Sequence, residues 1–385
     1  MHLISVDQAR PGLLVGRPVM DPAGRVLLQE GVALNEAYIE ALRAKGYTRL
    51  YVRDPGDLVE IAIEEDVSPA VRVVAYQTLR DAYTSIEKEV TLLRAHLSKD
   101  IVEVFDAESV RVLLSDKGHL SSIISIVNQI LEEVLSHATL AGLTSIKSAD
   151  TEAYDHSIDV CVISIMIGAA SGLDNVRLRQ LAAGSLLHDI GKIFLEPHVQ
   201  GKARIIQHTK LGFELLKNAE NSDIMAPYVA YEHHEHQDGS GLPRGLRGSN
   251  SLKRNRNLPP PIPTVVGEIA AVANIYDNLL SGSDRHEPMP PDAAVKVIRD
   301  AAGAIFNKEV VAAFLRVVPI YPQGTEVVVR TGKYRNFVGV VSKVNPAALD
   351  RPVIILTHDN HGKRIPPGEI DLTNAPDIEV RGKGI

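Results

Sequence analysis

The sequence holds one cysteine in 385 residues, Cys161, and no tryptophan. A lone cysteine excludes an intrachain disulfide and fits a reducing compartment. Aromatic residues make up only 4% of the chain, so its cores have to be aliphatic. Positive charge is also short: 41 basic residues face 48 acidic ones, a formal charge of −7. Phosphate attraction needs a basic footprint, so neither general nucleic-acid binding nor adhesion to an acidic membrane is expected. The longest apolar run, Val160 to Leu173, is interrupted by Ser and Gly. It is shorter than the ~18–20 residues that span a bilayer. The N-terminus shows no basic segment followed by an apolar one, so no secretory signal is read. These absences together describe a cytoplasmic protein with no membrane segment.

What is present is an ordinary globular mixture, 45% apolar and 23% charged, long enough for two or three domains. Residues 1–65 read as a small N-terminal α+β module. Leu13–Val19, Val26–Leu28 and Arg49–Val52 are strand-like, Asp21-Pro22-Ala23-Gly24 is a hairpin turn, and Asn35 caps a helix stopped by Gly46. Residues 66–145 read as a helical connector. Leu120, Ile123, Ile124, Val127, Ile130, Leu131, Val134 and Leu135 follow the spacing of an amphipathic helix. Val71, Ala75, Thr78, Ala82, Ile86, Val90, Leu93 and Leu97 trace a narrower stripe. That stripe fits packing within its own domain better than a homodimer seam, because Ala and Thr make weak heptads. Residues 146–320 are helical and carry the chemistry. Residues 321–385 switch to a period of two, with strands at Thr325–Arg330, Phe337–Val344 and Val353–His358, and read as a small β-barrel.

Histidine is the compositional oddity. Seven of the 14 fall between His156 and His236. Glu152 and His156 are spaced i, i+4, one turn apart on one helical face. His188, Asp189 and Lys192 stand in H-D-I-G-K after an apolar helix. His208 follows in I-I-Q-H-T-K-L-G. His233, His234, Asp238, Gly239, Gly241 and Pro243 stand in H-H-E-H-Q-D-G-S-G-L-P. Imidazole with carboxylate is the donor set of first-row metals such as iron, manganese or zinc. An Asp can bridge two cations, and a pair about 3.5–4 Å apart is the standard device for attacking a phosphodiester. The segment 244–256 carries five basic residues and no acid. It reads as a solvated loop or as a phosphate-attracting lip over the site.

These motifs resemble the HD-GYP family of metal-dependent phosphohydrolases over roughly residues 145–320. The resemblance implies a multidomain chain with a central all-α HD-type bundle between the two flanking modules. It implies hydrolysis of a cyclic dinucleotide, cyclic di-GMP first, to the linear dinucleotide or GMP. It implies two or three divalent metals, iron or manganese before zinc, nickel or magnesium. Carried over position by position, the ligands are Glu152, His156, His188, Asp189, His208, His233, His234 and Asn274. Asp189 takes the bridging place, and Lys192 matches the lysine on the scissile phosphate. The substrate-facing set is Lys192, Asp238, Gly239, Gly241 and Arg285.

The chain departs from the family pattern in four places. The family Tyr of G-Y-P is Leu242. The final ligand Asp is Asn274, in A-V-A-N-I-Y-D-N-L, and Asp277 on the same helix matches a separate family position. The segment between Lys192 and His208 is short. The phosphate-gripping R-P-Y-R-K is represented only by Ser283 to Glu287. A second reading therefore stands beside the phosphodiesterase: an effector that binds the dinucleotide, or a GGDEF-type diguanylate cyclase partner, without hydrolysis. A third is a plain HD hydrolase of another nucleotide.

Overall fold

A computed structural model describes residues 1–21, 25–55, 61, 64–96, 119–140, 152–218, 225–254, 261–282 and 287–383. The N-terminal module holds β1 (His2–Ser5), β2 (Leu14–Val15), β3 (Val19–Met20), β4 (Val26–Leu28), α1 (Glu36–Ala44) and β5 (Arg49–Arg53). Its antiparallel sheet has the order β1-β5-β2, with β3 and β4 paired as a hairpin beside it. The strand expected over Leu13–Val19 breaks in two at Gly16 and Pro18, and Pro18 has no amide to give a ladder. Asn35 caps α1 as expected, its side chain accepting from the Tyr38 amide at 2.8 Å. Gly46 ends the helix with φ +72°, a left-handed conformation open to glycine. The expected turn at Pro22–Gly24 lies outside the described residues.

The helical part comprises α2 (Pro69–His96), α3 (His119–Val134), α4 (Glu152–Ala170), α5 (Asn175–Leu186), α6 (Gly201–Lys217), α7 (Ala226–Glu232), α8 (Val265–Ser281), α9 (Pro291–Asp300) and α10 (Lys308–Val317). One aliphatic core runs through it from Val67 to Val318. The α2 stripe faces that core: Ala75, Ala82, Ile86 and Val90 are buried and Val71 packs on its edge. The Leu93 side chain and Leu97 lie outside the described residues. Arg72 on α2 pairs with buried Asp159 on α4 at 3.0 Å, which ties the connector to the bundle. On α3 the stripe buries Ile123, Val127, Ile130, Leu131 and Val134, while Ile124 and Leu135 face outward. Among the described residues α4 alone is long and apolar enough to cross a membrane by length and composition, and it is mostly buried inside the bundle.

The C-terminal strands are β6 (Glu326–Val329), β7 (Val338–Lys343), β8 (Val353–His358), β9 (Arg364–Asp371) and β10 (Val380–Gly382). They form an antiparallel sheet of order β10-β6-β7-β8-β9. The expected barrel does not close among the described residues: β9 and β10 are the two edges of an open sheet. Each edge has a physical stop. Pro366 and Pro367 within β9 have no amide to extend a ladder. The Gly382 amide of β10 donates to the Asp292 carboxylate of α9 at 3.1 Å, so that edge faces the bundle. Tyr51 and Ile61 pack against Val340 and Ile355, joining the N-terminal module to this sheet.

Candidate metal centre

Four helices and one short 3-10 turn deliver the site. His156 sits in the second turn of α4. His188 and Asp189 follow the end of α5, and Lys192 lies in the 3-10 turn Ile190–Phe194. His208 is on α6, and His233 and His234 follow the end of α7. Gly191 lets α6 cross closely above the turn: a Cβ there would collide with the His208 carbonyl. The glycine of H-D-I-G-K is thus a packing requirement that brings His208 to Asp189.

The imidazoles are aimed by their Nδ1 atoms. His188 Nδ1 donates to the Ser185 carbonyl at 2.8 Å, His208 Nδ1 to the Arg204 carbonyl at 2.8 Å, and His233 Nδ1 to the Val229 carbonyl at 3.1 Å. His156 Nδ1 meets Asp277 Oδ2 at 2.6 Å. A donated Nδ1 proton leaves Nε2 as a free lone pair, the form that ligates a cation.

Those Nε2 atoms converge on one carboxylate. Asp189 Oδ2 lies 3.4 Å from His188 Nε2 and 4.0 Å from His156 Nε2. Asp189 Oδ1 lies 3.4 Å from His208 Nε2 and 3.8 Å from His233 Nε2. The donors fall into two groups, His156/His188/Asp189 and His208/His233/His234. Lys192 pairs with Asp189 Oδ2 and keeps part of its side chain in solvent.

The electrostatics suit cations. Burial pushes His188 down to about 4 and His234 down to about 3, and burial also holds His208 and His233 below the usual imidazole range. These four imidazoles are therefore neutral at physiological pH. Burial alone would raise Asp189, but the Lys192 ammonium beside it holds its carboxyl well below the usual range. His188 Nε2 is fully buried and has no hydrogen-bond partner. A buried, unsatisfied lone pair beside a carboxylate is costly unless a cation sits there, so these residues fit divalent metals.

Glu152 is the exposed first residue of α4 and stands outside both groups. Asn274 is buried on α8, and its Oδ1 accepts from the Asn278 amide at 2.9 Å. Arg285 lies outside the described residues. Asp238 turns back on its own loop, accepting from the Ser240 amide at 2.8 Å. Gly239 has φ +83°, and a Cβ on Gly241 would collide with the backbone at Glu235 and His236. These glycines shape the loop, and Leu242 pins it to the site by donating its amide to the His234 carbonyl at 2.9 Å.

In the described part of the basic segment, residues 244–254, two arginines are held by buried carboxylates, and Arg256 lies outside the described residues. Arg244 pairs with buried Glu232, and Arg254 pairs with buried Glu268. Glu235 accepts from the Arg244 and Leu246 amides at 2.7 and 2.8 Å. These groups hold the loop's shape. Two further residues stand near the candidate ligands: Asp277, which the sequence reading matches only to a separate family position, and Tyr83, which it does not single out. Asp277 orients His156. Tyr83 on α2 is pushed up by burial and then by the nearby Asp189 charge.

Comparison with known proteins agrees with this geometry. A family model described as HD domain matches residues 125–310. A cyclic di-GMP phosphodiesterase of Thermotoga maritima is 32% identical over 179 residues, 44% of this chain and 45% of that protein. A cyclic di-GMP phosphodiesterase of Pseudomonas aeruginosa is 26% identical over 356 residues, 89% of this chain and 78% of that protein. A 3'3'-cGAMP-specific phosphodiesterase of Vibrio cholerae is 26% identical over 186 residues, 46% of this chain and 33% of that protein. The chain thus matches less than half the length of the Thermotoga and Vibrio relatives.

Proposed function

We propose that this chain, a member of the HD-GYP branch of the HD-domain family, is a metal-dependent phosphodiesterase that hydrolyses a cyclic dinucleotide, cyclic di-GMP first, to linear dinucleotide or GMP. The observation that carries the reading is Asp189, with imidazole Nε2 atoms facing both of its oxygens. His156, His188 and Asp189 would hold one cation. His208, His233 and His234 would hold a second beside it. Iron or manganese suits this nitrogen and carboxylate set, which also accepts zinc or nickel. Metals bound there supply an activated water and offset developing phosphoryl charge.

The chain's own residues do the rest. The Nδ1 contacts fix His156, His188, His208 and His233 before substrate arrives, which lowers the reorganisation needed at reaction. The Lys192 ammonium, partly exposed beside Asp189, is placed to meet a phosphate oxygen. The loop from Asp238 to Pro243 walls the site without a tyrosine hydroxyl, because Leu242 stands in that position.

A second reading rests on Asn274. Its amide oxygen is already engaged by Asn278 and carries no negative charge, so one ligand position of the family is weakened. On that reading the chain binds the dinucleotide, or a diguanylate cyclase, as an effector. The test is to purify the chain with manganese or iron, measure metal per chain, and follow cyclic di-GMP by chromatography. Cleavage is expected. A fully metallated chain with no turnover overturns the enzyme reading and favours the effector.

A further inference from the structure

The N-terminal module lies outside the region matched by the HD-domain model, yet it touches the helix whose Asp277 holds His156. Strand β5 alternates its side chains. Leu50 and Val52 point into the module's own core, and Tyr51 points away from it toward the C-terminal sheet. The pleat places Arg49 on the same face as Tyr51. Arg49 Nη2 donates to the Leu280 carbonyl, 231 residues away in the last turn of α8. The last four carbonyls of a helix have no partner within it, and a cation at that end is favoured by the helix dipole.

Leu280 and Asp277 are three residues apart, so they share a face of α8. Asp277 is buried, and its Oδ2 holds His156 Nδ1 at 2.6 Å. Burial makes the Arg49 guanidinium harder to charge, and Asp277 is the largest influence in the opposite direction. The guanidinium thus lies within the field of the carboxylate that aims His156.

We propose that Arg49 is a positioning residue for the metal centre, reaching from the N-terminal module to fix the end of α8 and keep Asp277 on His156 Nδ1. This rests on the reading of the His/Asp cluster as a metal site. It gives the N-terminal module a physical route to that site: a displacement of β5 withdraws the guanidinium from α8 and loosens one ligand.

The test uses the full chain and manganese binding, read by the electron paramagnetic resonance of free Mn(II), beside thermal melting. Arg49→Ala is expected to weaken manganese binding about 10-fold or more, the usual effect of losing a partner that orients a ligand. Arg49→Lys, which can still donate to the Leu280 carbonyl, is expected to recover most of it. Asp277→Asn combined with Arg49→Ala is expected to lose less than the sum of the single effects, because the two act through His156. Arg10→Ala, an exposed residue of the same module, is expected to bind as wild type does.

Unchanged manganese binding in Arg49→Ala with a metallated wild type overturns this proposal alone. A wild type that binds no manganese overturns the metal-site reading as well. Should Arg49→Ala not fold, Arg49→Gln and Arg49→Lys decide. Equal binding in Arg49→Gln, Arg49→Lys and wild type overturns the proposal, and graded loss from Lys to Gln upholds it.

Discussion

His156 Nδ1 and Asp277 Oδ2 meet at 2.6 Å across 121 residues of chain. The carboxylate fixes the ring so that Nε2 faces Asp189. Asp277→Ala frees the ring to rotate and removes the partner that makes it a better ligand. Metal affinity is expected to fall about 10–100-fold. Competition against a chelating dye measures it, and unchanged affinity contradicts the role given to Asp277.

Among the described residues, Asp189 is the one carboxylate that faces the imidazoles of both donor groups. Asp189→Ala is expected to drop metal content below one ion per chain and to leave no measurable turnover. Elemental analysis after dialysis reads the first, and chromatography of cyclic di-GMP reads the second. Two ions retained in this variant would show that Asp189 does not bridge.

Acid is expected to unfold the metal-free chain. His188 and His234 are held near 4 and 3, below an ordinary imidazole, so the unfolded chain binds more protons than the folded one as pH falls through about 6.5. Stability is then full above that value and declines below it. Asp189, held low, acts in the same direction at still lower pH. Melting temperatures from about pH 7.5 to 4.5 should fall steadily without metal. Added manganese should raise the curve most at the upper end, because protons compete for the same Nε2 atoms.

Gly191→Ala tests the packing that brings α6 to the H-D-I-G-K turn. The new methyl meets the His208 carbonyl, which is backbone and cannot swing aside. Overpacking of this kind costs about 1–3 kcal/mol. The melting temperature should drop and metal binding weaken together, since the strain falls on a ligand-bearing segment. A wild-type melt would mean that α6 can slide freely.

Much of this site was legible from short-range spacing. His188, Asp189, His233 and His234 belong to compact motifs whose order along the chain states a chemistry. What spacing could not state was direction. The pairing of Asp277 with His156 and the reach of Arg49 to Leu280 are tertiary contacts with no local pattern. The pairing of Arg244 with buried Glu232 and of Arg254 with buried Glu268 was hidden for the same reason, because no local pattern joins those arginines to the carboxylates they meet. In the C-terminal sheet, alternation located three strands well. Closure depends on what meets the edges, and Asp292 and the β9 prolines settle that through contacts the alternation does not encode.

Asn274→Asp separates the enzyme from the effector. Asn274 is buried on α8 one turn before Asp277, with its oxygen accepting from Asn278. A carboxylate there places a second buried negative charge beside Asp277. Without metal this repulsion and desolvation should lower the melting temperature. With manganese the added charge should bind the cation more tightly, so the metal-induced rise in melting temperature should exceed that of wild type. Turnover then decides between the two readings. Cleavage of cyclic di-GMP by wild type, faster or slower than by the variant, supports the phosphodiesterase. An inert, metal-loaded wild type beside an active Asn274→Asp chain would show that the amide has converted an enzyme into a binding protein.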